Sequence, residues 1–247
     1  MNQELIKYAA KILERADRVV CLTGAGVSAE SGISTFRDPE TGLWTKFNLE
    51  ELASQEGFRS DPGKVWRWYA ARVGDMGKAQ PNPGHVAIAE IAQRTEDFTM
   101  VTQNVDNLHE RGGCESVIHL HGTIGKFRCN ECTRDYDVSD DELTADQPPH
   151  CPHCNGLVRA DVVWFGEAMP RLQMDRAWKA SENCQVMLVV GTSGIVYPAA
   201  YLPLLASENG ATIIDINPDY GEISRMADVH IPAPSGEALP AIVAAMG

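Results

Sequence analysis

The residues most capable of chemistry begin at Gly24-Ala-Gly-Val-Ser-Ala-Glu-Ser-Gly32 and run on through Ile33-Ser-Thr-Phe-Arg-Asp38, directly behind the apolar run Val19-Val-Cys-Leu22. A short buried strand that breaks into glycines and small hydroxyl residues can bring bare backbone N–H groups up to a diphosphate. Gly24 and Gly26 fit G-x-G, but the next glycine is Gly32 and not residue 29, which departs from the dehydrogenase fingerprint. Phe36-Arg37-Asp38 then adds a polar cluster that hydride transfer does not need. The pattern points to a dinucleotide used for something other than redox.

A second polar group, Thr102-Gln-Asn-Val-Asp-Asn-Leu-His109, follows the strand candidate Phe98–Thr102. At the ligand-binding edge of a doubly wound sheet, Gln103, Asn104 and Asp106 together could grip a ribose and a carboxamide. A capped helix start explains Asn104 or Asp106 singly. His119 and His121 close the strand candidate Val117–Leu120, and the expectation is that they part to opposite faces, with only His121 leading into a glycine. An imidazole there suits a general base, and a hydrogen-bonded structural histidine is the alternative. Gly191-Thr-Ser193 and Asn217-Pro-Asp219 end two further strand candidates. Small hydroxyls and an amide at those ends suit the adenosine half of a dinucleotide, with ordinary turn chemistry as the competing explanation.

The third group is a set of cysteines. Cys129-x-x-Cys132, eighteen intervening residues and Cys151-x-x-Cys154 form two knuckles that present four thiolates to one Zn²⁺. With four sulfurs the shell is closed, so the metal is structural; His150 and His153 are spare donors. Cys21, Cys114 and Cys184 are scattered, which fits a metal site better than a disulfide framework.

These groups need a scaffold. Strand candidates Val19–Leu22, Phe98–Thr102, Val117–Leu120, Val186–Val190 and Thr212–Ile216 alternate with helical patterns at 3–15, 84–93 and 199–209. That alternation predicts an α/β fold, a doubly wound, mostly parallel Rossmann-like sheet. Two segments break the rhythm: 36–83, with the helical run Val65-Trp-Arg-Trp-Tyr-Ala-Ala-Arg-Val73, and 128–160, with the cysteines. The expected division is therefore 1–35, 84–127 and 161–247 as the dinucleotide-binding domain, with 36–83 and 128–160 as a small domain.

Composition narrows the function classes. A net charge of -13 disfavours a nucleic-acid partner. Apolar runs are strand-length, so no membrane span is expected, and the N-terminal segment reads as an amphipathic helix and not a signal peptide. The expected location is the cytoplasm. Oligomeric state is not readable from the sequence.

Taken together, these motifs resemble the sirtuin family, NAD-dependent protein-lysine deacylases, across roughly residues 15 to 245 and in the family's order. Besides the runs above, the resemblance includes Val162-Val-Trp-Phe-Gly-Glu167. It implies that Gly24, Ala25, Gly26, Ser28, Ala29, Glu30 and Thr35 surround NAD and that Phe36 and Arg37 cover the nicotinamide-ribose side. It also implies that Asn104, Val105 and Asp106 line the nicotinamide pocket, with Gln103 on the ribose. Gly191, Thr192, Ser193, Asn217, Pro218 and Asp219 would take the adenosine half. Ser235 would lie near the adenine, where many members carry cysteine. The implied catalytic residues are His121 and Asn104. The acyl oxygen attacks C1′ as nicotinamide leaves, and His121 draws a proton through the ribose hydroxyls. The 2′-oxygen then attacks the acyl carbon, and water resolves the intermediate to free lysine and 2′-O-acyl-ADP-ribose. Val162, Val163, Phe165 and Gly166 would pair with the backbone of an acyl-lysine protein substrate as an added strand.

Tyr69 and Arg72 lie three apart on one helix face, so a phenol and a guanidinium can converge on one carboxylate. A surface arginine beside a packing tyrosine is the alternative. In this family, Y-x-x-R with a small residue at Ala53 resembles the subgroup that removes succinyl, malonyl and glutaryl groups, which implies desuccinylation and demalonylation with weaker deacetylation. The rival readings are a plain deacetylase, an NAD(P) dehydrogenase and a non-catalytic zinc module. The dehydrogenase lacks its third glycine, and the zinc module leaves the glycine and QNVD motifs unexplained.

Overall fold

The computed structural model describes residues 2–35 and 48–247, so Phe36 and Arg37 lie outside the described residues. The strands in chain order are β1 (Arg18–Thr23), β2 (Asp97–Thr102), β3 (Val117–His119), β4 (Gly122–Cys129), β5 (Asp135–Tyr136), β6 (Val158–Val162), β7 (Val186–Val190), β8 (Thr212–Ile216) and β9 (Val229–Ile231). Six of them form a parallel sheet in the order β3-β2-β1-β7-β8-β9. The central strands are apolar on both faces because helices cover both: β7 is buried at every position. Helices 3–14, 83–94 and 235–245 pack on one face, and 171–183 and 202–208 on the other. This is the doubly wound α/β fold expected from the alternation.

β7 and β8 have the predicted bounds, β1 and β2 gain a residue or two, and β3 stops at His119, short of Leu120. β9 and the antiparallel sheet β5-β4-β6 were not foreseen. The strands of that second sheet cross both expected limits, since β4 starts at Gly122 and β6 reaches Val162. The physical reason is Gly122, whose φ of +78° turns the chain out of the parallel sheet immediately after His121. A Cβ at that position would sit 2.1 Å from the Asp161 carbonyl oxygen, so the sharp departure and the tight pairing both require glycine.

Helices 49–52, 55–60 and 62–78 pack on the small sheet around Phe58, Trp66, Tyr69, Phe127 and Trp164. The 62–78 helix starts at Asp61, which accepts the Lys64 N–H at 2.9 Å, with Pro62 in its first turn. Among the described residues, no helix is long and apolar enough to cross a membrane.

Candidate active site

The chain reverses its winding direction between β1 and β7, and their carboxyl ends form the crevice where doubly wound sheets take ligands. The loops leaving the two strands interlock. Gly24 N–H donates to Val190 O at 3.0 Å and Gly26 N–H to Gly191 O at 2.9 Å. A Cβ at Gly26 would lie 2.7 Å from Gly191 O, and one at Gly191, with φ +60°, would lie 2.4 Å from Val27 N. The glycines are thus fixed by loop-against-loop contact. Ala25 and Gly26 remain partly exposed at the crevice, Ala29 is exposed, and Thr35 is the last described residue before the gap.

The loop after β2 meets the same crevice. Asn104 Nδ2 donates to Ser28 Oγ at 3.1 Å, and Ser28 Oγ donates to Asp106 Oδ2 at 3.0 Å. Asp106 Oδ1 accepts the Leu108 N–H. Burial raises the Asp106 pKa against these hydrogen bonds. Gln103 Nε2 donates to Thr192 Oγ1 at 2.9 Å, and Asn217 Nδ2 to Thr192 O at 3.0 Å, so the β2, β7 and β8 loops are tied together. Val105 O accepts Ile124 N–H, which anchors this loop to β4. Pro218 and Asp219 are exposed, and Asp219 N–H closes a turn on Asn217 Oδ1.

His119 and His121 do not part to opposite faces. Residues two apart in extended chain share a face, and both Nδ1 atoms meet the same loop: His119 at Asn104 O, 3.1 Å, and His121 at Gln103 O, 2.8 Å. A carbonyl only accepts, so Nδ1 of His121 carries the proton and a neutral ring leaves Nε2 with its lone pair free. Burial lowers the His121 pKa, partly countered by that hydrogen bond, which keeps the ring a base at neutral pH. His119 is committed to Glu110 at 2.7 Å.

Two expected cofactor residues meet each other instead of facing open space. Glu30 Oε1 accepts Ser235 Oγ at 3.1 Å and the Gly236 N–H at 2.8 Å, at the first turn of helix 235–245.

Two residues that the motifs did not single out stand behind Ser28. Asn82 Nδ2 donates to Val27 O at 2.8 Å, and the Asn82 N–H donates to His85 Nδ1. That leaves the His85 proton on Nε2, 3.4 Å from Ser28 Oγ. Burial lowers its pKa to about 4, so it stays neutral. The signal was there as Asn82-Pro83-Gly84-His85, which reads in sequence only as a helix cap.

The four cysteines converge. Sγ of Cys129 and Cys154 are 3.4 Å apart, Cys132 and Cys151 3.7 Å, and all four sulfurs lie within 4.8 Å of one another. A tetrahedral zinc–thiolate shell has edges of about 3.8 Å, so the set fits zinc and is too wide for disulfides. Thr133 and Asn155, each directly after the second cysteine of its pair, have φ of 59° and 63°, the left-handed turn that closes each knuckle.

On the substrate side, Val163 N–H donates to His121 O and Phe165 N–H to Ala53 O, both at 2.9 Å. The backbone edge expected to receive a peptide is therefore partly used, and Val163 O and Gly166 N–H remain without partners among the described residues. Tyr69 is buried, and its hydroxyl oxygen accepts Trp164 Nε1–H at 2.9 Å. The Arg72 guanidinium lies 5.1 Å from the Trp68 ring centroid. Residues 193–197 place Ile195, Val196 and Tyr197 exposed beside this cleft's β7 loop, an apolar run the motif reading passed over.

Residues 24–198 match the model of the Sir2 family. The chain belongs to the Sir2 family. Sirtuin relatives named NAD-dependent protein deacylase include one from Ralstonia nicotianae, 48% identical over 236 residues that cover 94% of this chain and 93% of the relative. Another, from Pyrococcus furiosus, is 43% identical over 243 residues, covering 97% of each. The fold matches a Sir2 homologue in complex with NAD at a TM-score of 0.89 and 43% identity, covering 100% of this chain and 94% of that one. It also matches a Sir2 protein bound to a myristoylated histone peptide at 0.80 and 34%, covering 99% and 97%.

Proposed function

We propose that this sirtuin, an NAD-dependent protein deacylase, works on lysines that carry acidic acyl groups, succinyl and malonyl ahead of acetyl. The observation that carries this reading is a partly buried guanidinium, drawn toward Asp75 and Asp106 but in no ion pair with a described residue, next to a fixed hydroxyl. Arg72 forms no ion pair with any described residue, and burial lowers its pKa. An anion entering beside it relieves that desolvation. Burial raises the Tyr69 pKa, so the phenol stays protonated at neutral pH. Its oxygen is occupied by Trp164 Nε1–H, which leaves the phenolic hydrogen to donate to a carboxylate. Ala53, at the end of helix 49–52, is the small residue that in the resembling subgroup accommodates a chain longer than acetyl.

The remaining roles are assigned on the family resemblance, and the geometry is compatible with them. Ser28, Asn104 and Asp106 present an amide, a hydroxyl and a carboxylate to the carboxamide of NAD, and Gln103 faces its ribose. Asp106 and Arg72 attract each other across the cleft, so the carboxamide cup and the acyl pocket share one electrostatic environment. His121 Nε2 accepts the ribose hydroxyl proton while Nδ1 stays on Gln103 O. Val163 O and Gly166 N–H hold the peptide backbone. The products are nicotinamide, 2′-O-acyl-ADP-ribose and free lysine. Four closed thiolates leave zinc no open position, so its role is to hold the knuckles.

The test is a peptide panel carrying acetyl, malonyl, succinyl and glutaryl lysine, scored by nicotinamide release. Succinyl and malonyl peptides should turn over fastest. Tyr69→Phe with Arg72→Met should remove about 2–5 kcal/mol of succinyl transition-state binding and leave acetyl turnover nearly unchanged. Equal losses on both acyl types refute the preference.

A further inference from the structure

Arg159 is 1% exposed, among the largest fully buried side chains, and no step of the reaction uses it. Its guanidinium grips Glu167 as a fork, Nη1 to Oε1 at 2.6 Å and Nη2 to Oε2 at 3.1 Å. The same group donates to Val162 O and Ala160 O and stacks on Trp164, 3.2 Å from the ring centroid. Glu167 Oε2 accepts the Trp164 N–H at 2.9 Å, and Glu167 N–H returns to Trp164 O at 3.0 Å. The 162–167 segment is thus closed on itself around the Arg159–Glu167 pair, with Arg128 Nη2 a more distant second cation at 4.0 Å from Glu167 Oε2.

The closure reaches two other elements. Gln55, at the start of helix 55–60, donates to Glu167 Oε1 at 2.8 Å and to Asn130 Oδ1 at 2.9 Å. Asn130 returns a bond to Gln55 Oε1 at 3.2 Å and sits inside the first cysteine knuckle. One carboxylate therefore fixes the peptide segment against both the acyl-pocket helices and the cysteine module.

We propose that Arg159 and Glu167 are positioning residues for protein substrate. Their bonds to Val162 O and Trp164 N–H, together with those of Val163 N–H to His121 O and Phe165 N–H to Ala53 O, fix the segment so that Val163 O and Gly166 N–H are left for the incoming backbone. The idea rests on the reading above that 162–166 binds peptide. Because both residues hold the backbone of the peptide segment and neither supplies the acyl-pocket hydroxyl or guanidinium, the effect is on peptide affinity for every acyl type.

Arg159→Lys keeps the charge and loses the fork; Glu167→Gln keeps the shape and loses the charge. Either should raise KM for acyl peptides about tenfold, as expected for loss of binding-site preorganisation. KM for NAD should stay within about twofold, the scale of an untouched site. Gln55→Ala, which leaves the ion pair intact and removes one hydrogen bond to Glu167 and two with Asn130, should raise peptide KM about threefold. Unchanged peptide KM in Gln55→Ala and Glu167→Gln, or parallel rises for peptide and NAD, overturns the proposal. A peptide N-methylated at the acyl-lysine backbone separates the two levels. If the unaltered enzyme does not discriminate against it, 162–166 is not the peptide site; if it does and the variants keep their KM, the ion pair alone has been misassigned.

Discussion

On the cofactor side of the cleft, a polar cup is made from short side chains that hydrogen-bond one another: Ser28, Asn104 and Asp106, backed by His85. On the substrate side the wall is aromatic and cationic, with Tyr69, Trp164, Arg72 and Arg159, and the Glu167 carboxylate holds Arg159 and the Trp164 N–H. The first side is held by strand ends of a parallel sheet with large apolar clusters on both faces. The second is held by a three-stranded sheet, short helices and a cysteine cluster. A small sheet with little core depends on added restraints, whereas the large sheet stands on burial. The two sides should therefore fail under different insults.

Removing the metal separates them most. A structural zinc site contributes on the order of 10 kcal/mol of folding free energy, so stripping zinc with a chelator, or Cys129→Ser, should melt the knuckles and abolish peptide binding. Wild-type protein should carry one zinc per chain by elemental analysis, and chelation should split its thermal transition or lower its midpoint. A chain that holds no zinc, or that melts identically after chelation, contradicts a restraint-dependent substrate side.

The next effect belongs to the cofactor side. His121→Ala should lower deacylation about 10²–10⁴-fold, the range for loss of a general base, and leave NAD affinity and melting close to wild type. The base must be neutral to act, so activity is present above the His121 pKa and lost as pH falls through it. Burial lowers that pKa, which places the acid limb of kcat/KM below the ordinary imidazole range. An acid limb at or above 6.5, the ordinary imidazole value, would show that a different group controls the profile.

The same contrast governs how much could be read before folding. β7 was legible to the residue because it is an uninterrupted apolar run, and β8 because its β-branched run is broken only by Asp215. The cofactor residues were legible because each group is contiguous in sequence and ends such a strand. β4 was not, since Gly122, Gly125, Lys126 and Arg128 break its alternation, and its burial pattern has no regular period. Nothing in the sequence singled out Arg159, and Glu167 entered only as the end of the Val162–Glu167 run; only the fold shows one buried and the other clasping it. The spacing of Tyr69 and Arg72 was visible, but the Trp164 bond that orients the phenol joins residues 95 apart in sequence. Local motifs announce loops, and long-range hydrogen bonds do not.

The smallest effect tests where the two sides of the cofactor cleft end. Resemblance puts Glu30 and Ser235 on NAD, but the Glu30 carboxylate accepts both Ser235 Oγ and the Gly236 N–H. A carboxylate at the first turn of helix 235–245 complements the helix dipole and satisfies an otherwise open N–H. Gly236 is shaped for it, since a Cβ there would approach Glu30 Oε2 to 2.5 Å. Glu30→Gln keeps an acceptor oxygen and loses the charge, which should destabilise the fold by about 0.3–1 kcal/mol and lower Tm by roughly 1–4 °C. KM for NAD should stay within about twofold if the carboxylate is a helix clamp. A severalfold rise in that KM at unchanged Tm would move Glu30 out of the scaffold and onto the nucleotide. The boundary between scaffold and cofactor would then run through helix 235–245 itself.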